Sequence, residues 1–425
     1  MVFNTLCVIG LGYIGLPTAS TFANHSIKVI GVDTNPEIIH GLNNGKVHLF
    51  EPGLLTVVQN ALKSGNLIVR PQPQPADAYI IAVPTPFKGD KKADLDFVIA
   101  AAESVVRFLQ KGNLVILEST SPPRTTIDIV APILGKSGLV AGADFHLAYS
   151  PERVLPGRIL EELVENARVI GGIDPASAEA GRDLYKTFVK GEIFLTDATT
   201  AEMVKLMENT FRDINIAAAN EFARLADQFQ VDIWEAISLA NRHPRVQILN
   251  PGPGVGGHCI SVDPWFLVEA APESAQLIRS AREVNDSQPD FVVDFICRKL
   301  GALASKQVAA LGLAYKADID DLRESPAIEV AQRLKMAGAR VSVYEPYNPG
   351  FSLEGIHSAA DLEEAVADAE VLVLLVNHSQ FKAIDPRQLA RLTPARIAVD
   401  TVHGWDRSAW LEAGFSFLRP GDGKH

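Results

Sequence analysis

Apolar positions along the chain fall into two alternating kinds of run. TLCVIG at 5–10 is short, continuous and closed by glycine, whereas LGYIGLPTASTFA after it spaces its apolar residues at helical intervals. IKVIGVD predicts a second strand, and NPEIIHGL a helix with Asn35 as its cap and Pro36 in its first turn. Strand-like runs recur at AYIIAV (78–83), NLVILEST (113–120) and FHLAYSPE (145–152). Strands alternating with helices predict a parallel, doubly wound sheet.

Near residue 198 the pattern changes. No glycine or proline occurs between Thr199 and Gln230, and Thr199 with Glu202 has the spacing of a capping box, which predicts one helix of about eight turns. On that helix Val204, Met207, Phe211 and Ile214 are expected to pack. Further helical stretches at 232–241 and 274–299 enclose a glycine-rich loop. After residue 300 the alternation returns with QVAALGLAYK, a helix opened by Ser325 and Pro326, then ARVSVYEP, EVLVLLV and RIAVDTV. The expected α/β architecture is two Rossmann-like doubly wound parallel-sheet domains, 1–197 and 300–425, joined by a helical segment, 198–299.

Composition narrows the class. Hydrophobic residues are 47% and charged ones 21%, the balance of a globular protein, and no apolar run reaches the roughly 18 residues a membrane span requires. MVFNTLCVIGLGYIG has no basic leader, so a cytoplasmic location is expected. A net charge of -12 argues against a nucleic-acid or anionic-membrane partner, and any small anionic ligand would need a local basic pocket. Three cysteines, none in a CxxC or Cys/His pattern, predict neither a disulfide framework nor a metal site.

Gly10, Gly12 and Gly15 form GLGYIG between the first strand and a helix. Such glycines allow a tight turn, backbone approach to a pyrophosphate and close helix packing. Asp33, ending the second strand, would accept hydrogen bonds from an adenosine ribose and repel a 2'-phosphate, which favours NAD. The region after residue 300 lacks a full GxGxxG and is not expected to be a second dinucleotide site.

Lys205, Asn209, Arg212 and Asn215 share one face of the long helix, either as a solvated stripe or as donors for an oxyanion or diphosphate. Cys7 and Cys297 sit in apolar patterns and read as core. Cys259 stands in GPGVGGHCISVDP, either as a small hydrophobe behind a glycine turn or as a nucleophile, and the four glycines imply a close approach to the main chain. Asp263 reads as a helix cap, a catalytic carboxylate or both, and Glu152 in SPER as a first-turn carboxylate or a general base.

A nicotinamide site with a nucleophilic thiol suggests oxidation of a primary alcohol to a carboxylate through a sulfur adduct. The chain resembles the UDP-glucose/GDP-mannose (nucleotide-sugar 6-) dehydrogenase family in GLGYIGLP, FEPGL (50–54), AVPTP (82–86), ESTSPP (118–123), SPERVLPG (150–157), EMVKLMENTFRDINIAAANE (202–221), NRHPRVQILNPGPGVGGHC (241–259) and GLAYKADIDDLRESP (312–326). The resemblance implies that the central helices form a dimer core, giving a homodimer or higher oligomer. It implies Cys259 as nucleophile, Lys205 and Asn209 at the oxyanion, and Asp263, Glu152 and Thr120 around the attacking water. It further implies that Gly10, Gly12, Tyr13, Ile14, Gly15, Asp33, Thr85, Thr120 and Arg323 touch NAD. Arg153, Val154, Lys205, Asn209, Arg212, His243, Arg245, Gly257 and Lys316 would hold a UDP-sugar, with Arg245 reaching across the dimer.

Relatives acting on UDP-glucose carry lysine before the aspartate in a CxPKD pattern, where this chain has Val262 in CISVD. That departure, with NTFRDINIA and RHPRV, looks like the N-acetylhexosamine branch and implies UDP-N-acetyl-D-mannosamine as substrate. UDP-N-acetyl-D-glucosamine is the alternative. More distant ones are UDP-glucose, a two-electron 3-hydroxyacid oxidation and a non-catalytic NAD-binding role.

Overall fold

The computed structural model describes residues 1–89 and 91–423, so the last two positions of the 300–425 segment lie outside the described residues. Two compact units emerge, one of Met1–Glu208 with Glu269–Pro272, the other of Asn209–Val268 with the chain from Glu273 onward.

The first unit is built on eight strands: β1 (Thr5–Ile9), β2 (Lys28–Val32), β3 (Leu67–Arg70), β4 (Ala78–Ile81), β5 (Leu114–Leu117), β6 (His146–Tyr149), β7 (Arg168–Gly172) and β8 (Ile193–Asp197). Their order is β3-β2-β1-β4-β5-β6-β7-β8, and only β6 with β7 pairs antiparallel. Alternation along each strand assigns faces: Leu6, Val8, Ala78 and Ile80 enter one core, Cys7, Ile9, Tyr79 and Ile81 the other. Because both faces are covered, LCVI of β1 and AYII of β4 run apolar rather than alternating. Strand order reverses at β1, between β2 and β4, which opens a crevice at the carboxyl ends of these strands.

The second unit repeats the plan with β9 (Gln307–Leu311), β10 (Arg340–Tyr344), β11 (His357–Ser358), β12 (Val371–Leu374), β13 (Ile397–Asp400) and β14 (Ser416–Leu418). All pairings are parallel in the order β11-β10-β9-β12-β13-β14. Val308, Ala310, Val371 and Val373 join one core, Ala309, Leu311, Leu372 and Leu374 the other.

The long helix runs Ala198–Phe229. Its start differs from the expected capping box. Asp197 accepts Thr200 N at 2.9 Å and Thr200 Oγ1 at 2.6 Å, while Glu202 is buried and accepts Thr126 N (2.8 Å), Thr126 Oγ1 (2.6 Å) and Arg124 N (2.5 Å). Three tertiary donors outbid one local amide. The packing expected of Met207 and Phe211 is also absent: they are 57% and 69% exposed, because the polar residues Lys205, Asn209 and Asp213 take the buried side. The stretch 274–299 divides into Gln276–Asp286 and Gln288–Leu300, broken at Ser287 ahead of Pro289. Asn35 caps its helix as expected, accepting Glu37 N at 2.9 Å. No helix among the described residues is long and apolar enough to cross a membrane.

Candidate active site

The turn after β1 uses its three glycines for three different reasons. Gly10 has φ +93°, and a Cβ there would come 2.4 Å from the Ala82 carbonyl oxygen. A Cβ on Gly15 would lie 1.9 Å from the Gly10 carbonyl oxygen. Nothing lies within 4 Å of the corresponding position on Gly12. That open space faces the start of helix Gly15–Asn24, whose N-cap Ile14 offers no side-chain acceptor and whose first turn holds no acid. Open space at a helix start that carries no acidic side chain suits a pyrophosphate. Asp33 Oδ2 accepts Leu11 N at 3.0 Å and Oδ1 accepts Asn35 N at 2.9 Å, fixing the carboxylate at the end of β2. Burial pushes the His48 imidazole down, against the pull of Asp33. Thr85 and Thr120, both half-buried, follow β4 and β5. Ser119 Oγ ties those loops together by accepting Val83 N at 2.9 Å. Tyr13 and Ile14 complete the turn, half-buried. These residues fit NAD.

The second sheet repeats the turn and closes it. Gly312 has φ +92°, and Glu345, after β10, accepts Leu313 N (2.7 Å) and Ala314 N (2.9 Å) as Asp33 accepts Leu11 N. Glu345 also bonds His378 Nε2 (3.1 Å) and Tyr347 N (2.9 Å), so its acceptor capacity is spent on protein. Burial would raise its proton affinity, but these donors hold it below the ordinary carboxylate range.

In the first unit the SPERVLPG loop leaves β6 and brings Glu152 to Lys205. The Lys205 ammonium, 9% exposed, donates to the Glu152 carbonyl oxygen at 2.9 Å. The Glu152 carboxylate pairs with Arg168 Nη2 at 2.7 Å and accepts Arg153 N at 2.7 Å. Arg153 itself pairs with Glu208 at 2.8 Å and bonds the Ala167 carbonyl oxygen, and Val154 packs against the core. The far end of the loop is held by Glu51, which accepts Gly157 N and Ile159 N, each at 2.8 Å. Glu51 lies in FEPGL, a motif noted above without a role. Arg168 carried no sequence signal.

In the second unit the thiol loop is packed by protein. A Cβ on Gly256 would meet the Glu324 carbonyl oxygen at 2.4 Å, on Gly257 the Tyr315 ring at 2.8 Å, and on Gly254 the Pro326 Cβ at 2.8 Å. The close approach implied by the glycines is therefore made by segment 315–326. Gly257 N donates to Arg323 O at 3.0 Å, and the Arg323 guanidinium grips Asp321 at 2.6 Å. Cys259, half-buried, offers its carbonyl to Val262 N (3.0 Å) and Asp263 N (2.8 Å), closing the turn into helix Asp263–Ala270. The buried Asp263 carboxylate accepts Asn209 Nδ2 at 2.5 Å. Cys7 is sealed in its strand, burial pushing the thiol up to about 12, and burial also raises Cys297.

Asparagines hold the loop's entry. Asn215 bonds Gln247 O (2.9 Å) and Leu249 N (3.0 Å), and Asn220 bonds Gly252 N (2.9 Å) and Asn285 Oδ1 (2.9 Å). Arg212, His243, Arg245 and Lys316 are exposed. Thus Glu152 joins Lys205 in one unit, and Asn209 joins Asp263 beside the Cys259 turn in the other.

Models of the UDP-glucose/GDP-mannose dehydrogenase family match at residues 4–189 (NAD binding domain), 199–287 (central domain) and 309–407 (UDP binding domain). A UDP-N-acetyl-D-mannosamine dehydrogenase of Methanococcus maripaludis is 47% identical over 427 residues, 98% of this chain and 97% of that protein. An NDP-N-acetyl-D-galactosaminuronic acid dehydrogenase of Ralstonia nicotianae is 47% identical over 413 residues, 95% of this chain and 96% of its own. The solved structure of a UDP-D-ManNAc dehydrogenase from Pyrococcus horikoshii is 41% identical with a TM-score of 0.92, covering 99% of this chain and 100% of that one.

Proposed function

The chain belongs to the UDP-glucose/GDP-mannose dehydrogenase family, and from that premise we propose that it oxidises the C6 hydroxymethyl of UDP-N-acetyl-D-mannosamine to the carboxylate, a four-electron reaction using two NAD. Residues 1–197 bind NAD, 198–299 carry the thiol loop and 300–425 hold UDP. The observation carrying the chemistry is the 2.5 Å bond from Asn209 to the buried Asp263 carboxylate beside the Cys259 turn. A carboxylate clamped to an amide next to a thiol on a glycine-built loop has a chemical use that packing does not supply.

When bound, NAD supplies the hydride acceptor for both oxidations. Lys205, with Asn209, receives the developing charge at the C6 oxygen. Its ammonium has three donors and gives one to Glu152 O, leaving two for substrate. The Asn209 amide gives one of two hydrogens to Asp263 and keeps one. The Cys259 thiolate adds to the C6 aldehyde, forming a thiohemiacetal that the second oxidation turns into a thioester. Water, deprotonated with the help of Glu152, Asp263 or Thr120, attacks the thioester carbonyl and releases the carboxylate and the thiolate. Donors already in place cost no reorganisation at that moment. Arg153, Val154, Arg212, His243, Arg245, Gly257 and Lys316 hold the UDP-sugar. Tyr13, Ile14, Thr85, Thr120 and Arg323 join the glycine turn and Asp33 around NAD.

A second copy of the chain covers an apolar groove of about 250 Å³ lined by residues such as Phe222, Leu225, Phe229 and Ile237, beside an exposed Leu239. Light scattering that found only monomers would remove that assignment. The cytoplasmic location is part of the same proposal, and the free Cys7, Cys259 and Cys297 are in keeping with a reducing compartment. The substrate is tested by kcat/KM with UDP-N-acetyl-D-mannosamine, UDP-N-acetyl-D-glucosamine, UDP-N-acetyl-D-galactosamine and UDP-glucose. The mannosamine derivative should be preferred, and a higher value for any of the other three defeats the choice.

A further inference from the structure

Around Glu152 lies a buried cluster that the mechanism above leaves unused. Arg168, at the start of β7, is 5% exposed, and the side chains of Glu152 and Glu118 are 7% and 0% exposed. Arg168 Nη2 reaches Glu152 Oε2 at 2.7 Å, while its Nη1 reaches Ser150 Oγ at 3.0 Å and Glu118 Oε1 only at 3.5 Å. The guanidinium lies 4.2 Å from the Tyr185 ring centroid, and the Tyr185 hydroxyl donates to Glu118 Oε1 at 2.5 Å. Glu118 Oε2 is buried with no hydrogen-bond partner. One guanidinium thus faces two buried carboxylates.

We propose that Arg168 is a positioning residue that aims the Glu152 carboxylate at the attacking water, and that Glu118 and Tyr185 hold Arg168 in place for it. The proposal rests on the reading of Glu152 as the group that activates water. Glu152 Oε1 is already fixed by Arg153 N at 2.7 Å, so with Arg168 on Oε2 both oxygens of the carboxylate are oriented. Each still has acceptor capacity for water. Rigid support of this kind is what a general base needs, since a displacement of about 1 Å can cost about a hundredfold in rate.

Charge balance explains which carboxylate the arginine serves. A single guanidinium cannot neutralise two buried carboxylates, and the shorter bond goes to Glu152. Burial, opposed by Arg168 and reinforced by Glu152, pushes the Glu118 carboxyl up to about 7. Below that pH Glu118 is neutral and leaves the arginine's charge to Glu152; above it the two compete. The groups facing Glu118 are Glu152 and Ser150 beyond β6, Arg168 on β7 and Tyr185 on helix Pro175–Tyr185. Lys205 bonds the Glu152 main chain at 2.9 Å.

The test uses the full-length enzyme with NAD and UDP-N-acetyl-D-mannosamine. Steady-state kinetics are combined with intact-mass detection of the sugar adduct on Cys259, in Glu152→Gln, Arg168→Met, Arg168→Lys and Glu118→Gln. Arg168→Met should lower kcat at least about tenfold, KM should fall with it so that kcat/KM stays within about twofold, and adduct should accumulate because hydrolysis is the slowed step. Arg168→Lys, which keeps the charge without the fork, should recover part of the rate. Glu118→Gln should lose the wild-type change in kcat near pH 7. If Arg168→Met does not fold, Arg168→Lys decides by its adduct level. Adduct accumulation in Glu152→Gln but not in the arginine variants overturns this inference alone. Wild-type turnover by Glu152→Gln overturns the underlying reading of Glu152 as well.

Discussion

At the scale of single residues, Gly12 and Gly15 look alike in the sequence and differ in the fold. A methyl on Gly15 would collide with the Gly10 carbonyl at 1.9 Å, whereas one on Gly12 would meet nothing within 4 Å. Gly12→Ala should therefore keep the melting temperature within about 2 °C while weakening NAD binding at least about tenfold, because its methyl occupies only the space kept for pyrophosphate. Calorimetry and NAD titration on the same sample check this, and unchanged affinity would mean the cofactor lies elsewhere. The glycine turn and Asp33 were legible because the signature is local, within one strand-turn-helix unit. Glu51 was not, since it reaches amides 106 and 108 positions later, and Arg168 lacks any motif of its own.

At the scale of elements, pattern located strands where burial on both faces keeps every position apolar. It missed β3 and β8, whose residues alternate or face solvent, β7, whose short run opens on Arg168 and closes on two glycines, and β11 and β14, which are two and three residues long. Glu202 had capping-box spacing, yet its partners lie 76 and 78 positions away, so local spacing described a competition that tertiary donors won. The glycine-rich loop was legible as a close approach, but not as one made by segment 315–326. Its shape depends on the asparagines of the long helix. Asn220 is buried and bonds Gly252 N and Asn285 Oδ1, both at 2.9 Å. Asn220→Ala should cost about 1–3 kcal/mol in urea unfolding, since it leaves buried polar groups without partners. A loss below about 0.5 kcal/mol would show that the loop holds its shape by other contacts.

At the scale of the whole molecule, two sheets of the same topology end their second strand in an acid, and only the first leaves it beside open space. Glu345 is filled by His378 and three backbone amides, which is why one turn suits a dinucleotide and the other does not. Buried charge also shapes stability. Glu118 has its proton affinity raised from an ordinary 4.5 to about 7, chiefly by burial. The folded state thus binds more protons than the unfolded one in that window, and this contribution is complete below about 4.5 and lost as pH rises through about 7. Glu118→Gln should flatten the decline in unfolding free energy between pH 5 and 7.5, and an unchanged slope would mean Glu118 is ionised throughout.

The proposed chemistry requires a bond between Cys259 and the sugar, and rapid-quench mass spectrometry reads it directly. Enzyme mixed with NAD and UDP-N-acetyl-D-mannosamine should show a transient adduct on the Cys259 peptide, with two NADH formed per adduct, and Cys259→Ser should show neither the adduct nor full oxidation. Two NADH per sugar with an unmodified Cys259 at every time point, together with full turnover by the serine variant, would contradict it.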